Sequence, residues 1–130
     1  MKLMVLVYWV TRIIPAIILL QSLFFKFSGA EESKFIFTAI GMEPWGRIGT
    51  GIMELIASVL LLINPVAWIG ALIALGLMGG AIVMHLTILG IEIQGDGGLL
   101  FIYAVVVAGC SLYVMVRNLE KIKAVIGRRR

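Results

Sequence analysis

Apolar residues fall in four long runs, at 5–27, 46–63, 67–90 and 99–116, separated by segments richer in charge, glycine and proline. An α-helix needs roughly 20 apolar residues to cross a hydrocarbon core about 30 Å thick, so each run can span a bilayer. Inside hydrocarbon the backbone must satisfy its own hydrogen bonds, which favours helices over open strands. The pattern therefore predicts an all-α integral membrane protein, a bundle of four transmembrane helices in a single domain over residues 1–130. A cleaved signal peptide is the competing reading of the first run, but that run is long for one and is interrupted by Arg12 and Pro15. Asn64-Pro65 predicts a tight turn between the second and third helices, and Gly95-Asp96-Gly97-Gly98 a flexible turn before the fourth. In the longest connection, 28–45, Glu31-Glu32 precedes a stretch, 33–40, whose Phe35, Ile36 and Phe37 are too apolar for a free loop. It reads as a short interfacial helix ending at Gly41, or equally as an ordered apolar loop packed on the bundle.

Composition agrees with this pattern and removes other classes. Hydrophobic residues make up 62% of the chain and charged residues 14%, and the mean hydropathy is +1.11. A soluble core of this size could not bury that much apolar surface. Lys and Arg outnumber Asp and Glu by 11 to 7, but the basic residues gather at one terminus beside a lipid-soluble run, so anionic head groups are the expected partner and nucleic acid is not. Lys2 together with Arg117, Lys121, Lys123 and Arg128-Arg129-Arg130 forms the more basic side, against Lys26, Lys34 and Arg47. Both termini are therefore expected to be cytoplasmic. The aromatic residues agree, with Tyr8, Trp9, Trp68 and Tyr113 at the inner boundary and Trp45 and Tyr103 at the outer one. The terminal arginine run reads as an orientation signal and lipid anchor. A single cysteine, Cys110, allows neither an internal disulfide nor a CxxC pair.

Ionisable residues inside a span are costly and usually face the protein interior, which singles out Arg12, Glu54 and His85. At helical spacing Glu54 shares a face with Arg47, Thr50, Gly51, Ala57 and Ser58, a small and polar stripe that suits a close helix neighbour. His85 shares a face with Ala71, Ala74, Met78, Ala81 and Glu92, leading on to Asp96. Counting inward from the outer boundary at about 1.5 Å per residue, Lys26 lies at the surface, His85 about 7 Å down, Glu54 about 12 Å and Arg12 about 22 Å. The expectation is an outer-half polar pocket of Lys26, Glu54 and His85, with Arg12 below, reaching up toward Glu54 or down to the inner head groups. Pro15 should bend the first helix near Arg12. Gln21 lies nearly opposite Arg12 and would serve another contact; Glu43, Arg47, Glu92 and Asp96 are secondary candidates. Each residue also has a structural reading: Glu54 as a neutral acid or ion-pair partner fixing packing, His85 as an interhelical hydrogen-bond donor. A metal site is not expected, because His85 is the only histidine. Gly76 with Gly80, and Ala104 with Ala108, read as tight helix-packing pairs.

Arg12 early in the first helix, Phe25-Lys26-Phe27 at its end, Gly41-Met42-Glu43-Pro44-Trp45-Gly46-Arg47, Glu54-Leu55 and His85 together resemble the DoxX family of small four-helix bacterial membrane proteins. The resemblance runs from about Thr11 to Val116; Pro15 and Gln21-Ser22 depart from the glycine-containing first helix of many members. It implies residence in the bacterial cytoplasmic membrane. The family is named after a subunit of a thiosulfate:quinone oxidoreductase, with relatives linked to oxidoreductase assemblies and to methylamine dehydrogenase maturation; a similar architecture occurs in receptor-assembly chaperones. Thiosulfate oxidation does not carry over, since the sequence has no cysteine, haem or iron–sulfur ligand set for it. The expectation is an accessory subunit of a redox assembly with no covalent cofactor, whose pocket holds a quinone-like head group. Glu54 or His85 would exchange a proton with a quinone oxygen, and Lys26 or Arg12 would stabilise its reduced anionic form. No residue is assigned as catalytic, the electron carrier would belong to a membrane or peripheral redox partner, and a homo-oligomer is compatible. The alternatives are a non-catalytic assembly factor and, less favoured, a small-molecule or proton transporter.

Overall fold

A computed structural model describes residues 2–127, and the Arg128–Arg130 run lies outside them. Among the described residues the chain is helical, with no strand. Helix α1 (Lys2–Ser28) runs unbroken through Pro15. Helix α2 (Glu31–Ala39) comes next, then α3 (Trp45–Leu61), a 3-10 turn at Asn64–Val66 and α4 (Ala67–Met84). A π-helical turn, His85–Leu89, extends α4, and α5 (Leu99–Arg117) and α6 (Leu119–Gly127) complete the chain.

Three segments are long and apolar enough to cross a membrane: Lys2–Ser28, Asn64–Leu89 and Leu99–Arg117. Helix α3 has 17 residues, a rise of about 25 Å. The expected short helix of the first connection is present as α2, and Gly41, at φ 74°, lies just past its end. The apolar run at 67–90 is α4 and the π turn together. Helix α6 is not among the elements that the hydropathy pattern predicts. Asn118 interrupts the final helix by turning its side chain back, donating from Nδ2 to the Val114 carbonyl and to the Tyr8 hydroxyl of α1 at 2.7 and 2.8 Å.

Helices α1 and α4 each pack against both α3 and α5. The shared core is built from Leu19, Ala57, Leu61, Ala71, Ala74, Val107 and Val114, all buried. Small residues let helices approach where lipid gives no hydrophobic drive for them to associate. The outward surface is equally apolar, with Ile17, Phe24, Ile52, Val59, Leu72, Val83, Ile102 and Leu112 all exposed. Helices apolar on every side belong in a membrane rather than in water.

Two helices come within backbone contact at Gly70, where a Cβ would lie 2.7 Å from the Ala57 carbonyl oxygen and 2.7 Å from the Leu61 backbone nitrogen. Backbone atoms cannot move aside as a flexible side chain can. Gly70→Val is therefore expected to destabilise the protein by about 1–3 kcal/mol or more, read as a lower apparent Tm in detergent. Gly79→Ala, where a Cβ meets nothing within 4 Å, should be neutral or mildly stabilising.

The expectation that Gly76 and Gly80 make a tight packing pair is corrected. A Cβ at either would meet nothing within 4 Å, and both glycines line a cavity. Here the small residues leave space rather than close it. Ala104 is buried in the core, with Ala108 packed against it.

Candidate functional site

The cavity has a volume of about 470 Å³ and is walled by α1, α3, α4 and α5, with α2 across one end. That volume lies within the range of sites for small organic ligands. Ser33 and Phe37 are the buried positions of α2, and both face the cavity together with Ile36 and Ile40. Their spacing of four residues keeps one face of the short helix inward.

Lys26, Glu54 and His85 all line this cavity. Lys26 ends α1 and reaches Glu54 in the middle of α3, with Nζ 2.9 Å from Oε1. Nζ also donates to Ser22 Oγ, one turn back, at 2.6 Å. Glu54 is 1% exposed, and its second oxygen, Oε2, is buried without a hydrogen-bond partner among the described residues. A buried acceptor left unmet costs about 1–3 kcal/mol, more when charged. The pair is thus half-satisfied, with Oε2 buried in a residue that lines the cavity.

His85 opens the π turn, a local widening of the helix common at functional positions. Its Nδ1 lies 2.8 Å from the Gly90 carbonyl oxygen. A carbonyl can only accept, so Nδ1 carries the proton, and in the neutral ring Nε2 is an acceptor. Gly90, at φ 81° and ψ 170°, takes a backbone conformation that glycine adopts most readily, and its carbonyl meets Nδ1. Phe101 of α5 holds the ring edge-on, with centroids 5.5 Å apart.

Arg12 does not join this cluster. It is fully buried about 21 Å along α1 from Lys26, donating from Nε to the Leu61 carbonyl and from Nη1 to Asn64 Oδ1, both at 2.7 Å. Its guanidinium stacks on Trp9, 4.0 Å from the ring centroid, with Tyr8 at 5.1 Å. It reaches neither Glu54 nor the inner head groups and instead caps the C-terminal end of α3, where a cation complements the helix dipole. Arg47 mirrors it near the start of α3: Nη1 donates to the Lys26 carbonyl at the end of α1, while Nε and Nη2 hold the Glu43 carboxylate. Each of these two helices thus has its last carbonyls bound by an arginine of the other. That double tie fixes the register in which Lys26 meets Glu54.

The remaining candidates lie apart from the ion pair. Gln21 edges the cavity but is exposed and donates to its own helix at the Ile18 carbonyl, 3.0 Å away. Glu92 is exposed. Asp96 anchors the last connection, Oδ1 accepting from the Ile93 and Gly98 N–H groups and Oδ2 from Leu100. Burial pushes its carboxyl up, but these three bonds and the nearby His85 outweigh that and hold it below the ordinary carboxylate range. A depressed folded pKa stabilises above the unfolded value, near 3.9, and that stabilisation is lost as pH falls through the lower folded value. Wild type should exceed Asp96→Asn in stability at neutral pH by on the order of 1 kcal/mol or less, read as a higher apparent Tm, and the two should converge as pH falls below about 4.

Ser22, Glu32, Thr50 and Tyr103 also line the cavity, and the sequence alone does not single them out as site residues. Ser22 lies four residues before Lys26, the spacing of a helical pair, so it was accessible to a search for the lysine's neighbours. Tyr103 reads equally well as an interfacial aromatic, and only the fold turns it inward. No group of three or more metal-ligating side chains occurs among the described residues.

Apolar spanning helices around a mostly apolar cavity that carries a few polar side chains define a small helical membrane protein. Residues 7–87 match the DoxX family model, and the chain belongs to that family. The match runs from α1 through the first residues of the π turn and so contains Arg12, Lys26, Glu54 and His85, while α5 and α6 lie beyond it. No curated protein and no solved structure matches the chain.

Proposed function

We propose that this DoxX-family protein crosses the bacterial cytoplasmic membrane four times, with both termini in the cytoplasm, and is an accessory subunit of a redox assembly whose cavity takes a quinone-like head group. The observation that supports the reading is a Lys26–Glu54 pair lining a mostly apolar cavity, its buried carboxylate having one oxygen without a partner. Helix α3 supplies the fourth span: its charged residues, Arg47 and Glu54, are buried, and its exposed large side chains, among them Ile48, Ile52, Leu55, Ile56 and Val59, are apolar. The basic residues of α6, Lys121 and Lys123, come after the last span and support the cytoplasmic orientation.

A quinone would supply two-electron chemistry; this chain's residues bind it and handle protons. Lys26 keeps an N–H beyond its bonds to Glu54 and Ser22 and would donate it to a quinone carbonyl oxygen. Glu54 and His85 accept or return protons there. Arg12 does not take the charge-stabilising role, because it is occupied at the far end of α1.

Native mass spectrometry of protein extracted in mild detergent tests the reading. The expected result is a co-purifying quinone or quinol whose retention changes in Glu54→Gln and His85→Ala variants that stay folded. A protein free of small molecules, or one carrying only a client membrane protein, would reject it in favour of an assembly role.

A further inference from the structure

We infer that the cavity selects a ligand bearing hydroxyl donors, so that it holds the reduced aromatic diol in preference to the oxidised dione. This deepens the quinone-like reading and rests on it. Glu54 and His85, two buried polar side chains that line the cavity, each have an unmet acceptor, whereas the lining Glu32 is partly exposed and Gln21 exposed, so both can be met by solvent. Lys26 occupies Oε1 of Glu54, which leaves Oε2 as a buried acceptor with no donor. The Gly90 carbonyl fixes the proton of His85 on Nδ1, which leaves Nε2 of the neutral ring as the second. Nε2 has no partner among the described residues, and Oε2, closed off as the carboxylate stands, meets a ligand donor once the Glu54 side chain turns toward the cavity it lines. Against these stand the remaining N–H of Lys26 and, at the exposed edge, the second amide N–H of Gln21. The hydroxyls of Ser22, Thr50 and Tyr103 turn to suit either kind of partner.

A dione presents acceptors only. It satisfies Lys26 but leaves both protein acceptors unmet, and a site with unpaired buried acceptors discriminates strongly against a ligand that cannot donate. A diol hydroxyl donates to Glu54 or His85 while its own lone pairs remain open to Lys26. The cavity's apolar surface, contributed by residues such as Leu77, Met78 and Ala104, suits the ring and tail of either form and does not discriminate between them.

The test uses purified full-length protein in nanodiscs under nitrogen, titrated with decylubiquinone, decylubiquinol and the dimethyl ether of decylubiquinol. The quinol should bind about tenfold tighter than the quinone or the ether, as expected for gaining a hydrogen bond to a charged or buried acceptor. Glu54→Gln, which puts an amide donor where Oε2 stood, or His85→Phe, should shrink that gap. Equal binding of quinone and quinol, tighter binding of the quinone, an ether as tight as the quinol, or a gap unchanged in both variants overturns the inference while leaving a ligand cavity in place. Failure of all three compounds to bind overturns the quinone-like reading itself. If neither variant folds, the comparison of quinol with ether on wild-type protein decides.

Discussion

Lys26→Met is expected to destabilise the protein by about 3–5 kcal/mol, and adding Glu54→Leu should restore most of that loss. The single change strands a carboxylate that is 1% exposed and already has one oxygen without a partner. In a low-dielectric interior an isolated charge is far costlier than the pair, so Glu54 must either take up a proton or drag water inward. The double change removes both charges, and well-packed apolar side chains often match or exceed the stability of a buried ion pair. Unfolding in mixed micelles by SDS titration, read by tryptophan fluorescence, measures both variants against wild type. If Lys26→Met unfolds like wild type, the pair does not bear on stability. The double variant separates two roles: it should fold well and bind no quinone or quinol. Retained binding would show that the pair serves packing alone.

The ion pair was legible in part from the sequence, because helical periodicity assigns a residue to a face and a depth. Lys26, Glu54 and His85 could thus be drawn to the same half of the membrane from α1, α3 and α4. Periodicity does not say which neighbour a long side chain chooses. Arg12 lies on the inward face as expected, yet its partner is the Leu61 carbonyl, and free carbonyls at a helix end are invisible in a string of side chains. The same limit hides Arg47, whose partner is the Lys26 carbonyl. Small residues are ambiguous for a different reason. Gly70, Gly76 and Gly80 lie on one helix, but the first meets another backbone and the other two face open space. A missing side chain permits close contact and permits a cavity, and only the position of the neighbouring helix tells which. Helix α6 escaped because Asn118 breaks the apolar run, and the segment beyond it is too short and too charged to read as a span.

That contrast between glycines yields the other large effect expected. Gly80→Phe should lower affinity for decylubiquinol about 100-fold or more, because the ring competes directly for the ligand's volume, while leaving the fold intact. The two halves of this expectation rest on separate observations. Residue 80 lines the cavity, so a ring there projects into the space a bound ligand must fill. A Cβ at residue 80 meets nothing within 4 Å, so the first carbon of the side chain is accepted without a clash and the ring beyond it has the cavity to enter. Replacing a helical glycine also removes its conformational-entropy cost, roughly 1 kcal/mol relative to alanine. The variant should therefore melt at or above the wild-type temperature, the opposite of Gly70→Val on the same helix. Gly109→Phe is the control: a Cβ there is equally free, but Gly109 does not line the cavity, and binding should survive. A Gly80→Phe protein that still bound the quinol as wild type does would place the ligand elsewhere on the molecule. The unmet acceptors of Glu54 and His85 would then have to be explained by the fold alone.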